Sequence, residues 1–291
     1  MKNKIIEHIP HSSLKLPRIF KKQRKLISNE EINNFNYAMT DLLTDKLFSF
    51  RKWTHVRAKI SRIVCDSEKF LDDKQEIMSK FGMGAIYTKT NKGIIMLYPS
   101  EEYKKKIIKN FYMPHHQKLD RVVSRNLTKH KTILVDCHSF SKEIIMTRDD
   151  KSKLPDICIG INEFYSSQKL LDFTTDYFKS FGFNVSINNP YSGSMIPDFL
   201  LNQNKDNFYS IMLEINRDLY FPNIEAIHLQ DKNYKECNEC DINNEKINNK
   251  YNKNKIKYYK YKKIIIKSEK FKKIKEIIYN YLNFISNMED L

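Results

Sequence analysis

Short apolar runs alternate with segments of helical apolar spacing along most of this chain. Ile5-Ile6, Ser61–Cys65, Ile133–Val135, Ile157–Ile161, Asn184–Ile187 and Ser210–Leu213 read as buried strands. Between them, residues 29–51 place Ile32, Phe35, Met39, Leu42, Leu43 and Leu47 at helical spacing. Residues 101–128 carry Tyr103, Ile107, Ile108 and Phe111 on one side before Pro114 interrupts the pattern. Residues 164–182 repeat that period with Leu170, Leu171, Phe173, Tyr177 and Phe178. After Asn223 the pattern dissolves until residues 268–286, where Phe271, Ile274, Ile277, Ile278, Leu282 and Ile285 mark a closing amphipathic helix. This alternation predicts an α/β fold, a sheet flanked by helices, with no internal repeat.

Composition narrows the picture. With 291 residues, 41% of them hydrophobic, the chain can bury a full core in one large domain or two small ones. No stretch approaches the roughly 18 apolar residues needed to span a bilayer, and the N-terminus lacks a signal-peptide core. A cytoplasmic protein is expected. Cys65, Cys137 and Cys158 lie in strand-like runs as small buried hydrophobes. Cys237 and Cys240 form a lone Cys-x-x-Cys that lacks two further zinc ligands, so no specific role is expected of it.

The net charge of +16 is concentrated. Residues 231–275 hold 15 lysines against 6 acidic residues, a net of +9. That stretch is low in complexity, rich in asparagine, lysine and tyrosine. A basic run interleaved with tyrosines can bind phosphates and stack on bases, but the compositional reading is favoured: a solvated insertion at about 226–266, with nucleic acid not expected as a partner.

The chemistry-bearing positions follow the strands. His11 comes shortly after Ile5-Ile6, His138 after Val135-Asp136, and Glu214 after Leu213. In α/β sheets, ligands bind beyond the strand carboxyl ends. Two imidazoles and a carboxylate delivered there are the parts of a hydrolytic zinc site with one group free to act as base. Asp136 points to the same side of an extended chain as His138, where it can orient the ring or bind substrate. His11 has no acidic partner close behind it. Asp41 and Asp45, four apart on one predicted helical face, are the candidates for a third ligand. Glu214 sits among apolar neighbours, where burial raises its pKa towards the range of a general base; an ion pair with Arg217 is the structural alternative. Arg62 offers donors for an oxyanion or a substrate carboxylate. The turn Asn188-Asn-Pro-Tyr191-Ser-Gly193 would bring a phenol and backbone amides to a ligand.

Together these segments resemble the N-formylglutamate amidohydrolase family. The resemblance runs from Ile9-Pro10-His11-Ser12 through Asp41-Leu-Leu-Thr-Asp45 and Ser61-Arg62-Ile-Val-Cys-Asp66 to Gly82-Met-Gly84-Ala-Ile-Tyr87. It continues through Val135-Asp136-Cys137-His138-Ser139, Asp156-Ile-Cys-Ile-Gly160 and Asn188–Gly193, and ends at Glu214-Ile215-Asn216-Arg217. About residues 5–222 are covered, in order, and the family in turn is similar to zinc carboxypeptidases. The resemblance implies a single-domain, phosphorylase/hydrolase-like mixed sheet, one zinc ion and hydrolysis of an N-acyl amide on an acidic amino acid. Two departures stand out. Where many relatives carry Asp-x-Asn-Arg, this chain reads Asp66-Ser67-Glu68-Lys69, replacing a two-pronged carboxylate grip with a point charge. The Asn/Lys-rich insertion lies outside the common core.

The expectation is therefore one domain over residues 1–291 holding zinc through His11, His138 and Asp41. Glu214 serves as base and proton donor and Arg62 stabilises the oxyanion, while Arg217, Lys69, Tyr191 and Asn188 bind an N-acyl amino acid such as N-formylglutamate. Two other readings are carried: a zinc carboxypeptidase or peptidoglycan amidase built on the same centre, and a non-enzymatic basic nucleic-acid-binding protein.

Overall fold

The computed structural model describes residues 2–141, 154–201, 203, 206–221, 262–289 and 291. The asparagine- and lysine-rich insertion up to residue 261, with Cys237 and Cys240, lies outside the described residues. Cys65, Cys137 and Cys158 are buried free thiols. Six strands form one mixed sheet: β1 (Lys4–Ile9), β2 (Thr54–Arg57), β3 (Thr132–Phe140), β4 (Ile157–Ile161), β5 (Val185–Ile187) and β6 (Phe208–Asn216). Their order is β2-β1-β3-β6-β4-β5. The neighbours β2, β1, β3 and β6 run parallel, whereas β4 opposes β6 and carries β5 parallel to itself. The carboxyl ends of β1, β3 and β6 thus share one edge, as expected for an α/β sheet flanked by helices.

The central strands are buried on both faces because helices cover each one. On one side, Ile5, Val135, Cys137, Leu213 and Ile215 pack with α6 (Gln168–Lys179) and α7 (Glu269–Ser286). α7 contributes Phe271, Ile274, Ile277, Ile278, Leu282 and Ile285, all buried. Residues 262–267, overlapping the end of the expected insertion, are also helical, and Ile265 is buried in the same cluster. On the other side, Ile6 and Leu134 pack with Leu119 and Val123 of α5 (Met113–Leu127). Alternation along each strand, period two, decides which side chain meets which helix. No helix among the described residues is long and apolar enough to cross a membrane.

Four local expectations are corrected. Ser61–Cys65 is a turn, not a strand: the Ser61 carbonyl accepts the N–H groups of Val64 (3.1 Å) and Cys65 (3.3 Å). Its apolar side chains enter a second core cluster built by residues 20–112. The strand in that region is the edge strand β2, whose one buried residue is Val56, too little apolar signal to be read.

The helix expected at 29–51, which follows the short α1 (Arg18–Lys21), divides into α2 (Asn29–Met39) and α3 (Thr44–Leu47). Thr40 is extended and Leu43 takes a φ of 64°, so Asp41 and Asp45 do not share a helical face. The helix at 101–128 instead runs on past Pro114: α4 (Glu101–Ile107) passes through a wide π turn at Ile108–Tyr112 into α5. The proline stands at the start of α5, where its missing N–H costs little. Finally, β3 does not open into a loop at His138; it continues, fully buried, to Phe140.

Glu7, also buried, accepts the N–H groups of Ser49 (3.0 Å) and Phe50 (3.1 Å). Burial pushes its pKa from 4.5 up to about 8 against those hydrogen bonds and nearby Lys275. The folded pKa lies above the unfolded one, so the folded state binds more protons between those two values. The contribution of this group is full below about pH 4.5 and is lost as the pH rises to about 8. Urea midpoints at pH 5 and pH 8 should show Glu7→Gln gaining stability relative to the parent at the higher pH. A constant difference between the two proteins would refute this assignment.

Candidate metal centre and active site

Strand register builds the site. His8 lies opposite Asp136, and His138 opposite Glu214, in the paired parallel strands. Register-matched side chains of neighbouring strands project from the same face, and Asp136 and His138 are two apart on β3, so the two pairs stand one after the other on a single face. The α2–α3 break adds Asp41, whose N–H donates to the His11 carbonyl (3.0 Å). The segment after β2 adds Arg62, Asp66 and Glu68.

His11, Asp41 and His138 each offer a ligand atom within 4.8 Å of the others. His138 Nδ1 lies 3.1 Å from Asp41 Oδ2, and His11 Nδ1 lies 3.9 Å from the same oxygen. His11 Nδ1 is buried with no hydrogen-bond partner among the described residues. The outer ring nitrogens are held by carboxylates. His11 Nε2 lies 2.8 Å from Asp66 Oδ1 and 3.2 Å from Glu68 Oε2. His138 Nε2 lies 3.0 Å from Glu68 Oε1 and 3.1 Å from Asp136 Oδ1. Such outer partners set which nitrogen keeps its lone pair. With both Nε2 atoms donating, the two Nδ1 lone pairs and an Asp41 oxygen converge. The donor set, two imidazoles and one carboxylate, fits a zinc ion. Two overlapping groups, His8/Glu68/Asp136 and His11/Asp66/Glu68, also have metal-compatible spacing, but their close contacts are those of this supporting layer.

Asp66 anchors the layer. Its Oδ2 accepts Arg62 Nε (3.0 Å), Arg62 Nη2 (2.8 Å) and the Tyr87 hydroxyl (2.9 Å). Burial opposes its ionisation, yet Arg62 and His11 hold its pKa well below the usual carboxylate range. Glu214 has the opposite balance. Burial, with Asp41 and Glu68 adding to it, outweighs His138 and pushes its pKa to about 8. Its Oε2 is buried without a partner among the described residues. Among the described residues no ion pair joins it to Arg217, whose Nη2 donates to the Thr40 carbonyl (2.5 Å) and lies 4.0 Å from Asp41 Oδ1. Arg217 Nε is likewise buried and unpaired among the described residues.

The remaining candidates fall at different distances from this centre. Asp45 faces outward to Arg57 and Lys46, each 3.1 Å from its Oδ2. Lys69 pairs with Glu76 (3.3 Å). The Asn188 side chain accepts the Ile161 N–H (3.0 Å), bracing the turn it belongs to. That turn presses on Gly160, where an added Cβ would meet the Gly193 carbonyl oxygen at 2.1 Å. Tyr191 stands close enough to the centre that burial, then Glu214 and Asp41, raise its phenol pKa, with Arg62 and Arg217 opposing. In the sequence, Asp66 and Glu68 stand out only as parts of a motif, and His8 and His115 do not stand out as site residues. The available signal was a polar Glu7-His8 pair inside a buried strand, which calls for partners.

The sequence profile of the N-formylglutamate amidohydrolase family matches residues 4–221. This chain belongs to that family. Among solved structures, it is similar to an N-formylglutamate amidohydrolase from Ralstonia eutropha, with a TM-score of 0.61 and 18% identity over 76% of this chain and 84% of that one. It is also similar to a gene product of Agrobacterium tumefaciens, with a TM-score of 0.55 and 20% identity over 75% of this chain and 82% of that one. These likenesses establish the fold. No curated protein matches the chain. Membership carries the coarse assignment, an enzyme that hydrolyses amides.

Removing the anchor should be costly. Asp66→Asn leaves the Arg62 guanidinium without its carboxylate and the His11 ring with Glu68 alone, and should cost about 3–5 kcal/mol in chemical denaturation. A loss under about 1 kcal/mol, the range of a surface pair, would overturn that account.

Proposed function

We propose that this protein is a zinc-dependent amidohydrolase that removes an N-formyl, or other N-acyl, group from an acidic amino acid such as N-formylglutamate. The supporting observation is the orphaned, buried Nδ1 of His11, facing the same Asp41 oxygen as His138 Nδ1. A buried polar atom without a partner is costly unless a ligand satisfies it. His11, Asp41 and His138 would hold the ion, which supplies Lewis-acid polarisation of the acyl oxygen and a more acidic water.

The chain's own groups do the rest. Glu214, one strand over from His138, takes the proton of the attacking water and delivers it to the leaving amine. Its pKa of about 8 suits both halves of that task near neutral pH. Arg62, fixed by two hydrogen bonds to Asp66, stabilises charge developing on the acyl oxygen. Arg217, with its free Nε, and the Tyr191 phenol receive the amino-acid portion. Lys69 and Asn188 are less suited to direct substrate contact, since each is engaged elsewhere.

Elemental analysis should find zinc in the parent and in Asp45→Ala but little in His11→Ala, His138→Ala or Asp41→Ala. Full occupancy in any of the last three would remove that residue from the centre. Glu214→Gln should keep its zinc and its melting temperature while turnover of N-formylglutamate falls by roughly 10²–10⁴. Parent-level turnover in this variant would exclude Glu214 as the proton carrier.

A further inference from the structure

His138 is the end of a hydrogen-bonded series that runs back through the sheet into α5. His8 Nδ1 lies 2.7 Å from Asp136 Oδ1, the oxygen that also faces His138 Nε2 at 3.1 Å. The other nitrogen of His8, Nε2, lies 2.8 Å from His115 Nε2 on α5. The second oxygen of Asp136 accepts the Met195 N–H (3.0 Å). All three side chains behind His138 are buried: His8 is 0%, Asp136 2% and His115 8% exposed.

We propose that His8 and His115 are positioning residues for the metal centre: they hold the Asp136 carboxylate against His138 Nε2, and so keep the His138 Nδ1 lone pair aimed at Asp41 and the ion. Hydrogen-bond bookkeeping gives the series a direction. A carboxylate only accepts, so His8 must present Nδ1–H to Asp136. A singly protonated His8 then has a lone pair on Nε2, and His115 must donate its own Nε2–H to it. Burial, and after it the proximity of His8 and His116, hold the His115 pKa well below the ordinary imidazole value, consistent with one ring proton. His138, giving its Nε2–H to the carboxylate layer, retains Nδ1 for coordination. Partners of this kind commonly change metal affinity by ten- to a hundredfold. His115 acts three contacts away from His138, through His8 and Asp136, so its effect should lie near the lower end.

The proposal rests on the metal-centre reading, and its test separates the two. Long-range proton–nitrogen NMR of the metal-free parent, labelled in its eight histidines, reads which ring nitrogens carry protons. The expected spectrum has His8 protonated on Nδ1 alone and His115 protonated on Nε2. Chelator competition then measures zinc affinity. His115→Leu should weaken it about tenfold, while His115→Gln, which keeps an N–H donor, should restore most of the loss.

A purely structural role would instead lower the melting point of the metal-free protein with no such rescue. Should His115→Leu melt early, the comparison passes to His115→Gln against His115→Asn, whose shorter amide falls short of His8. Equal zinc affinities in that pair, or parent-like affinity in a stable His115→Leu, would overturn the proposal. So would a His8 ring bare on Nδ1 or protonated on both nitrogens. A parent that takes up no zinc would defeat the metal-centre reading, and the ring-proton pattern would then decide the direction of the series by itself.

Discussion

The parallel pairing of β1, β3 and β6 is the constraint on which the rest of the site depends. Because side chains alternate with period two, one register brings His8 beside Asp136 and His138 beside Glu214. A slip by one residue in β3 would instead present Val135 and Cys137 to this face and bury the acids and imidazoles among the leucines and isoleucines packed on α7. The apolar face packed on α6 and α7 therefore does more than stabilise the domain. It fixes the register, and the register aligns the chemistry.

Having placed so many ionisable groups out of water, the fold must satisfy them. Buried carboxylates are tolerated where donors surround them, as at Asp66, which receives Arg62, Tyr87 and His11. Asp136 is served by His8, His138 and a backbone N–H. Among the described residues, eleven buried side-chain polar atoms have no partner, and three of them, His11 Nδ1, Glu214 Oε2 and Arg217 Nε, gather at this centre. They belong to the proposed ion ligand, proton carrier and substrate-binding residue. Polar atoms left unsatisfied in a native interior are where a ligand, a water or a reaction is expected.

The departure at residues 66–69 also gains a physical meaning. Glu68 reaches the outer nitrogens of both candidate ligand histidines, and Lys69 turns away to Glu76. The segment thus supports the imidazoles, leaving Arg62 and Arg217 as the guanidinium groups nearest the centre. In the proposed function, substrate recognition accordingly falls more heavily on those two residues and on the turn carrying Tyr191.

The α/β class, the chain positions of all the strands but β2, the closing helix and the identity of His11, His138, Asp41 and Glu214 as candidates were all legible in the sequence. Each rests on local pattern: an apolar run, a helical period, or a polar residue at the end of a buried strand. The resemblance to the amidohydrolase family was legible for the same reason, being carried by short motifs in order. Asp41 was preferred to Asp45 there, but the helix break tied to the His11 carbonyl, which brings it nearest the two histidines, was not legible. Nor were the wide turn before Pro114, the turn at Ser61–Cys65, or the supporting roles of Asp66, Glu68, His8 and His115. The supporting roles are contacts between residues far apart in the chain, as with His8 and His115, or His138 and Asp41. Local propensity says which groups will be buried, whereas only the pairing of strands and the packing of α5 against them decide which groups meet.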